Sequence, residues 1–334
     1  MGSGRVVIEK VDSEALQGNA AGDPHVRTVP VYLPPSYDSD PSRRFPVAFV
    51  LTGFTGRGRM LLNDNGWSLA LDDRMDRMIA RGACGEMILV MPDCFTRFGG
   101  SQYRNSTATG RYEDHLIDEL VPFVDGRYRT LPDREHRGVA GKSSGGYGAM
   151  MLGMRHPDVF GAIVCHSGDM EFDYCYRGDV PKALTHLQNA GGIAAWMQRF
   201  ESKLQKSHDD FLTLNMLGMA ASYSPNPQAK PFGFDFPADL ETGAWREEVW
   251  RRWLELDPLR AIERHAEALR GMRLLYLDCG TRDEFSLQHG ARLLVRRLRE
   301  LGIPHHHEEF EDAHMNVSYR YEVSLPRLAK ALGA

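Results

Sequence analysis

The feature that most constrains the fold of this chain is the segment 138–150, which reads GVAGKSSGGYGAM. A short apolar run comes first, and Gly141, Ser143 and Gly145 then form a G-x-S-x-G pattern. A serine at the tip of a sharp turn has a strained backbone, so its neighbours two positions before and after must be nearly free of side chains. The pattern therefore predicts a strand, a tight turn at Ser143 and a helix.

Apolar runs and helical spacing elsewhere predict an α/β architecture. A chain of 334 residues is long enough for one large α/β domain with an insertion, or for two modest domains. Strands that are covered on both faces read as continuous apolar runs. We predict two antiparallel starting strands at 5–10 and 27–33, and further strands at 47–52, 87–91, 137–140, 161–165, 273–278 and 307–310. Helices are predicted at 69–81, 112–128, 147–155, 287–301 and 319–332.

The pattern changes between residues 167 and 258, where strand-like runs are absent and aromatic residues and methionines are frequent. The simplest account is a mostly parallel sheet interrupted by a helical insertion. We therefore predict a core made of residues 1–166 and 259–334, and a helical lid or cap made of residues 167–258. Alternatively, the aromatic residues of the insertion form a small core of its own.

Composition and charge exclude several classes of protein. Hydrophobic residues make up 42% of the chain and charged residues 25%, as in soluble globular proteins. The net charge is −5 and no basic tract is present, which argues against a nucleic-acid partner. No signal peptide and no apolar run of about 20 residues is found, so we expect no membrane span and a cytoplasmic protein. A homodimer stays an open alternative.

Cysteine usage agrees with that expectation. The five cysteines lack disulfide or metal-site spacing, and their odd number suits a reducing compartment.

Serine is a weak nucleophile and needs a base that is itself oriented by a carboxylate. In the strand–turn–helix arrangement the acid and the base follow the serine along the chain, in that order. Asp283, in GTRDEF after the strand 273–278, fits the acid best. Asp278, on the strand itself, and Glu284 are the alternatives.

The base is expected in the loop after the last strand, where His314 lies in FEDAHMN. The adjacent histidines 305–307 do not predict a metal site, because three successive residues of an extended strand cannot all face one ion. His166 follows a strand end and is a candidate for lining the substrate pocket; Trp67 is another. For His166 and His289 the alternative is an ordinary structural role near the site.

An oxyanion intermediate needs two backbone N–H donors. One is expected from Ser144, which follows the nucleophile, and the other from Phe54 in the glycine-rich loop LTGFTG. Ser144 is also the alternative nucleophile, but its flanking residues do not fit the glycine frame.

Several of these motifs, taken in order, resemble a known family. They are VYLPPSY, LTGFTG, GRYEDHLIDELVPFVDGRYRT, GKSSGGYGAM, GTRDEF and the final DAH. The chain is similar to the esterase family of α/β-hydrolases that includes S-formylglutathione hydrolases (esterase D), feruloyl esterases, enterochelin esterase-like proteins and antigen 85 mycolyltransferases.

The resemblance implies an α/β-hydrolase fold, with a mostly parallel central sheet, helices on both faces and a helical lid insertion. It also implies Ser143 as nucleophile, Asp283 as acid and His314 as base, with the amides of Phe54 and Ser144 as oxyanion donors. Two features depart from the family pattern: Lys142 stands where many members carry His, and the insertion is longer than in compact members.

Together these observations predict a serine esterase that needs no cofactor or metal and acts on a small acyl or aryl ester through an acyl-enzyme. Three alternatives stay open. One is acyl transfer to an alcohol or sugar by the same residues, as in antigen 85 proteins. Another is an amidase or peptidase, and the third is a non-catalytic binding protein with a hydrolase fold.

Overall fold

The computed structural model describes residues 2–64 and 66–334. The strands are β1 (Arg5–Asp12), β2 (Val26–Leu33), β3 (Val47–Leu51), β4 (Ile88–Val90), β5 (Asn105–Ser106), β6 (Gly110–Arg111), β7 (Arg137–Lys142), β8 (Ala162–His166), β9 (Leu274–Gly280) and β10 (His306–Phe310). The first α-helices are α1 (Ser36–Ser39), α2 (Leu71–Ala80), α3 (Tyr112–Asp114), α4 (Val121–Arg127) and α5 (Ser144–Arg155). A π-helical segment, His115–Leu120, joins α3 to α4 in one continuous helix.

The remaining α-helices are α6 (Phe172–Cys175), α7 (Val180–Ala190), α8 (Ile193–Ser202), α9 (His208–Tyr223), α10 (Glu247–Leu254), α11 (Pro258–Ala261), α12 (Ala266–Arg270), α13 (Leu287–Glu300) and α14 (Tyr321–Leu332). Single 3₁₀ turns occur at Gly58–Leu62, Arg134–His136, Ile262–His265 and Ser318–Arg320. The predicted strands and helices are all present, with ends that differ by a few residues.

Eight strands form one sheet in the order β1-β2-β4-β3-β7-β8-β9-β10. β1 and β2 pair antiparallel, as predicted, β2 also pairs antiparallel with β4, and all other pairs are parallel. The mostly parallel sheet expected from the sequence is therefore confirmed. The order reverses between β3 and β7, and ligands of open α/β sheets bind outside the carboxyl ends of the strands at such a point.

The sheet is covered on both faces, as the continuous apolar runs predicted. β3 shows this directly, because its alternate side chains belong to two separate cores. Val47, Phe49 and Leu51 face the larger core. Ala48 and Val50 face a smaller core that contains apolar side chains of α2 and α14.

The chain between β8 and β9 is helical, with α6 to α10 lying inside residues 167–258. Most of its aromatic residues are buried in the larger core, Trp250 and Trp253 among them. The division into a core and a lid at residues 166 and 259 stays a prediction.

Three further expectations concern the whole chain. Within residues 2–64 and 66–334, no helix is long and apolar enough to cross a membrane. The five cysteines are free thiols and buried. No group of His, Cys, Asp and Glu in the described part of the chain is arranged to hold a metal ion.

Candidate active site

Ser143 lies in a tight turn between β7 and α5, with φ 58° and ψ −126°. Its amide donates to the carbonyl oxygen of His166 at the end of β8, at 2.9 Å. A Cβ atom on Gly141 would lie 2.2 Å from the carbonyl oxygen of Gly145, and one on Gly145 would lie 2.3 Å from that of Leu51. Real Cβ atoms do not approach backbone oxygen atoms so closely. Both positions therefore require glycine, as the G-x-S-x-G pattern predicted on steric grounds.

The acid and base candidates meet beside this turn. His314 Nδ1 lies 2.7 Å from Asp283 Oδ2, and both side chains are buried. Glu284 does not contact the imidazole; its Oε2 accepts from the His314 backbone N–H at 2.6 Å. The Phe285 ring packs edge-on against the imidazole, with ring centres 4.8 Å apart. The imidazole is therefore held in place by the contact with the Asp283 carboxylate and by packing against the Phe285 ring.

A second Ser–His–Asp arrangement lies below the turn. His166 Nδ1 is 2.6 Å from Asp278 Oδ1, and His166 Nε2 is 2.8 Å from Ser324 Oγ. All three residues are at most 2% exposed. Arg320 Nε also donates to Asp278, at 2.8 Å. No substrate can reach these groups, so this arrangement is structural.

The expectation that His166 lines the substrate pocket is therefore wrong. Its two ring nitrogens are already occupied, and the pleat of β8 directs the ring into the smaller core, where it packs on Tyr321. Its backbone carbonyl does contribute to the site, because it accepts the hydrogen bond from the Ser143 amide.

Ser143, Ser144 and His314 share one cavity of about 200 Å³. Its walls come from the loops after β3, β7, β8, β9 and β10, and from α9 of the insertion. The lining residues are Gly53, Phe54, Thr55, Met60, Lys142, Ser143, Ser144, Asp169, Cys175, Tyr176, Phe211, Asn215, Phe285, Leu287, His314 and Met315. Trp67 is exposed at the surface and is not among them, so the expectation that it lines the cavity is not met.

The two amides expected to bind an oxyanion flank Ser143. Ser144 is the first residue of α5, and the first N–H groups of a helix have no acceptor within the helix. Gly53 lies directly against Ser143, because a Cβ atom on Gly53 would be 3.3 Å from Ser143 Cβ. Phe54 follows Gly53, so its amide belongs to the same short loop beside Ser143.

The Phe54 ring occupies a space that is open because Gly99 and Gly218 have no side chains. We call this space the Phe54 socket. A Cβ atom on Gly99 would lie 2.4 Å from the Phe54 ring, and one on Gly218 of α9 would lie 2.8 Å from it. Phe211, also on α9, packs edge-on against the ring with centres 5.6 Å apart. The insertion is thus in direct contact with the loop that carries the Phe54 amide.

Besides His314, the cavity is lined by one side-chain ammonium group, that of Lys142, and one side-chain carboxyl group, that of Asp169. Burial lowers the pKa of Lys142, and the nearby charges of Asp283 and Glu284 partly offset that effect. Asp169 is 6% exposed, and burial raises its pKa although Tyr176, Ser144 and Gln102 donate hydrogen bonds to it.

Backbone strain is concentrated around this cavity. In the described part of the chain, eight non-glycine residues have a positive φ, and six of them lie in loops that line the cavity; the other two, Gln102 and Tyr103, lie in the loop before β5, from which Gln102 donates to Asp169. They are Thr55, Gln102, Tyr103, Ser143, Ser167, Glu171, Ser286 and Asn316. Such conformations cost about 1 kcal/mol or more each and persist where the surroundings impose them, often at functional sites.

Sequence reasoning missed Asp169 and Gln102. Asp169 lies three residues after β8, at the carboxyl end where site residues of a parallel sheet gather, and that position was its available signal. Gln102 lies in a long polar loop between β4 and β5, where no pattern distinguishes it from its neighbours.

A larger, more open cleft of about 530 Å³ lies elsewhere, with Arg104, Arg111 and Arg252 among its lining residues. It contains none of the candidate catalytic residues. The smaller cavity is therefore the candidate active site.

The model of the Esterase family matches residues 24–328, which is most of the chain. The chain belongs to the esterase family. This membership and the geometry above support a carboxylic ester hydrolase, and the family resemblance read from the sequence motifs is confirmed.

Individual relatives are more distant. One stretch is 31% identical over 142 residues to an endo-1,4-beta-xylanase/feruloyl esterase of Xylanibacter ruminicola. It covers 41% of this chain and 19% of that relative. The chain matches less than two thirds of the length of the curated relatives found.

Solved structures show the same fold over almost the whole chain. A ferulic acid esterase aligns with a TM-score of 0.65 and 21% identity, over 98% of this chain and 99% of that one. An S-formylglutathione hydrolase from Agrobacterium tumefaciens aligns with a TM-score of 0.59 and 17% identity, over 99% and 96%. These likenesses establish the α/β-hydrolase-type fold of this esterase.

Proposed function

We propose that this esterase is a serine carboxylic-ester hydrolase that acts through an acyl-enzyme intermediate on a small acyl or aryl ester. The observation that carries the proposal is the contact of 2.7 Å between His314 Nδ1 and Asp283 Oδ2 in a cavity that Ser143 also lines. A nucleophile, a base and a carboxylate that orients the base are the three groups that acyl transfer requires.

In the proposed reaction Ser143 Oγ attacks the carbonyl carbon of the ester while His314 takes the hydroxyl proton. Asp283 keeps the imidazole in the tautomer with Nδ1–H and stabilises the imidazolium that forms. The amides of Phe54 and Ser144 donate to the oxyanion. The tetrahedral intermediate then breaks its bond to the alcohol, to which His314 returns the proton, and water releases the acid from Ser143 by the same steps.

The size and walls of the cavity support a small acyl or aryl group. Its volume of about 200 Å³ is below the range of about 300–1,000 Å³ usual for sites of drug-sized ligands. Phe54, Phe211 and Phe285 give it apolar aromatic walls. Because α9 contributes Phe211 and Asn215, we propose that the insertion acts as a lid that shapes this cavity.

The test is hydrolysis of p-nitrophenyl esters from acetate to decanoate, and of a feruloyl ester, by the wild type and by Ser143→Ala. We expect the variant to lose at least about 10³-fold in kcat. The chain length at which kcat/KM falls then reports the depth of the cavity.

Ser324→Ala is the matched control, because it removes the serine of the buried Ser324–His166–Asp278 arrangement. We expect its folded fraction to hydrolyse the same esters at close to the wild-type rate. Wild-type rates in Ser143→Ala, or no hydrolysis of any ester by the wild type, would contradict the proposal.

A further inference from the structure

Asp169 has no part in the proposed reaction, yet it lines the catalytic cavity. Among the described residues, hydrogen-bond donors contact one of its two carboxylate oxygens. Oδ2 accepts hydrogen bonds from Tyr176 OH at 2.7 Å, Ser144 Oγ at 3.1 Å and Gln102 Nε2 at 3.2 Å. These three donors fix the orientation of the carboxylate.

The other oxygen, Asp169 Oδ1, has no hydrogen-bond donor among the described residues. Within the same set, the side-chain oxygen of Gln102 is a buried acceptor without a donor. Gln102 is 1% exposed and its nitrogen is used by Asp169 and by Tyr223 OH, at 2.9 Å. A buried acceptor that lacks a donor is unfavourable until water or a ligand supplies one. Two acceptor oxygens around Asp169, its own Oδ1 and the side-chain oxygen of Gln102, thus lack a donor among the described residues. We call Asp169 and its three donors, Tyr176, Ser144 and Gln102, the Asp169 cluster.

The cluster lies next to the reacting atoms. Ser144, whose hydroxyl contacts Asp169, directly follows the nucleophile and carries one of the proposed oxyanion amides. Because Asp169 and Ser143 line the same cavity, a group bound to Asp169 lies in the cavity that holds the scissile carbonyl in the proposed reaction. Ser167 and Glu171, on either side of Asp169, have φ values of 43° and 56°, so the backbone is held in an unfavourable conformation to place this carboxylate.

We propose that Asp169 is a specificity-determining residue whose Oδ1 accepts a hydrogen bond from a substrate hydroxyl close to the scissile carbonyl. The proposal rests on the ester-hydrolase function above. Burial raises the pKa of Asp169, but the three donors at Oδ2 oppose that effect by favouring the ionised form. In that form the carboxylate only accepts, so it favours a hydroxyl over a ketone or an ether at the same place. Lys142 lines the same cavity, and its charge disfavours a substrate ammonium group.

The hydroxyl can be carried by the acyl part or by the alcohol part of the ester, and two pairs of substrates distinguish these sources. The acyl pair is methyl 3-hydroxybutyrate and methyl butyrate; the alcohol pair is 2-hydroxyethyl butyrate and ethyl butyrate. Hydrolysis is followed by pH-stat titration, and each kcat/KM is divided by the rate constant for hydroxide-catalysed hydrolysis. We expect the wild type to prefer the hydroxylated member of at least one pair by about tenfold or more.

Asp169→Asn keeps the shape of the side chain but presents an amide N–H₂ group to the cavity. We expect the preference for the hydroxyl to fall by about tenfold. Methyl acetoacetate has only an acceptor at the same carbon. Its kcat/KM should rise relative to that of methyl 3-hydroxybutyrate, because the amide can donate to the keto oxygen.

Asp257→Asn is the matched control. Asp257 is a fully buried carboxylate that accepts from the backbone N–H of Phe172 at 2.8 Å and does not line the cavity. The preference should be unchanged in this variant. If Asp169→Asn does not fold, the wild-type ranking of the hydroxy ester above the unsubstituted and keto esters carries the test.

Equal kcat/KM for both members of both pairs in the wild type overturns the inference, as does a preference that Asp169→Asn retains. Neither result affects the proposed function, which fails only if no ester is hydrolysed or if Ser143→Ala retains activity.

Discussion

Two neighbouring aspartates each bind a histidine, but only one of the pairs reaches the cavity. Asp283 binds His314 beside the proposed nucleophile Ser143, whereas Asp278 binds His166 in the interior. The difference comes from the pleat of β9 and the turn that follows it. Asp278 is still on the strand and points into the smaller core, while Asp283 lies in the loop beyond the strand end.

This difference gives a prediction for Asp283→Asn. The amide cannot stabilise an imidazolium and favours the wrong tautomer of His314, so we expect kcat to fall by about 10³- to 10⁴-fold. The measurement is kcat for a p-nitrophenyl ester, with circular dichroism to confirm folding. Asp278→Asn should retain kcat within about tenfold per folded molecule, and a larger loss there than in Asp283→Asn would reverse the assignment.

At the scale of single residues, candidates for the nucleophile, acid and base could be chosen from spacing, because site residues of a parallel sheet follow the carboxyl ends of successive strands. The sequence could not separate Asp278 from Asp283 by spacing alone, since which face a strand residue occupies depends on register. For the same reason it could not show that the His166 side chain turns away from the cavity while its carbonyl supports the Ser143 amide.

At the scale of secondary-structure elements, α9 contacts the loop 52–56, which carries the proposed oxyanion donor Phe54 and is called the oxyanion loop below. The contact is made through the Phe54 socket. Gly218→Ala should place a methyl group 2.5 Å from the Phe98 carbonyl oxygen and 2.8 Å from the Phe54 ring. Either α9 or the loop must then move, and the Phe54 amide moves with it. We expect kcat to fall by about 10- to 100-fold, because removing one oxyanion donor costs about 10²- to 10³-fold.

Gly126→Ala is the control for this prediction. Gly126 lies in α4, where an added Cβ atom would meet nothing within 4 Å. We expect the free energy of unfolding to rise by about 0.5–1 kcal/mol, since alanine favours helix over glycine, with kcat unchanged. Unfolding in urea and the esterase assay measure both quantities. An unchanged kcat in Gly218→Ala would show that the socket does not position the oxyanion loop.

Elements of the sheet were predictable because strands buried on both faces leave continuous apolar runs. The role of the insertion could not be predicted, because aromatic residues that fill a core and aromatic residues that face a ligand give the same sequence pattern. Trp253 is fully buried, whereas Phe211 packs on the oxyanion loop and lines the cavity. Only the tertiary position of α9 separates the two cases.

At the scale of the whole molecule, a charge network that is buried at Asp278 and Arg320 and partly exposed at Glu308 and Arg327 joins the edge of the sheet to α14. Arg320 donates to Asp278 at 2.8 Å and to Glu308 of β10 at 2.7 Å, and Arg327 of α14 donates to Glu308 at 2.7 Å. Burial acts to raise the pKa of Asp278, but its contacts with His166 and Arg320 outweigh burial and hold that pKa below its ordinary value.

The lowered pKa of Asp278 makes the stability of this esterase depend on pH in a defined direction. Because the folded pKa is below the unfolded value of about 3.9, the stabilisation is fully present above about pH 4 and is lost as the pH falls through the folded pKa. Removing one partner of a buried ion pair costs about 3–5 kcal/mol. Asp278→Asn should therefore lower the free energy of unfolding by about that amount at pH 7, and by progressively less below about pH 4.

Urea unfolding of the wild type and Asp278→Asn at pH 7, 5, 4 and 3 measures this dependence. Asp38→Asn is the control, because the pair of Asp38 with Arg5 at 2.7 Å is exposed and is screened by water and salt. It should change the free energy of unfolding little at any of these pH values. A difference between the wild type and Asp278→Asn that stays constant from pH 7 to pH 3 would mean that Asp278 stabilises the fold by its packing and not by its charge.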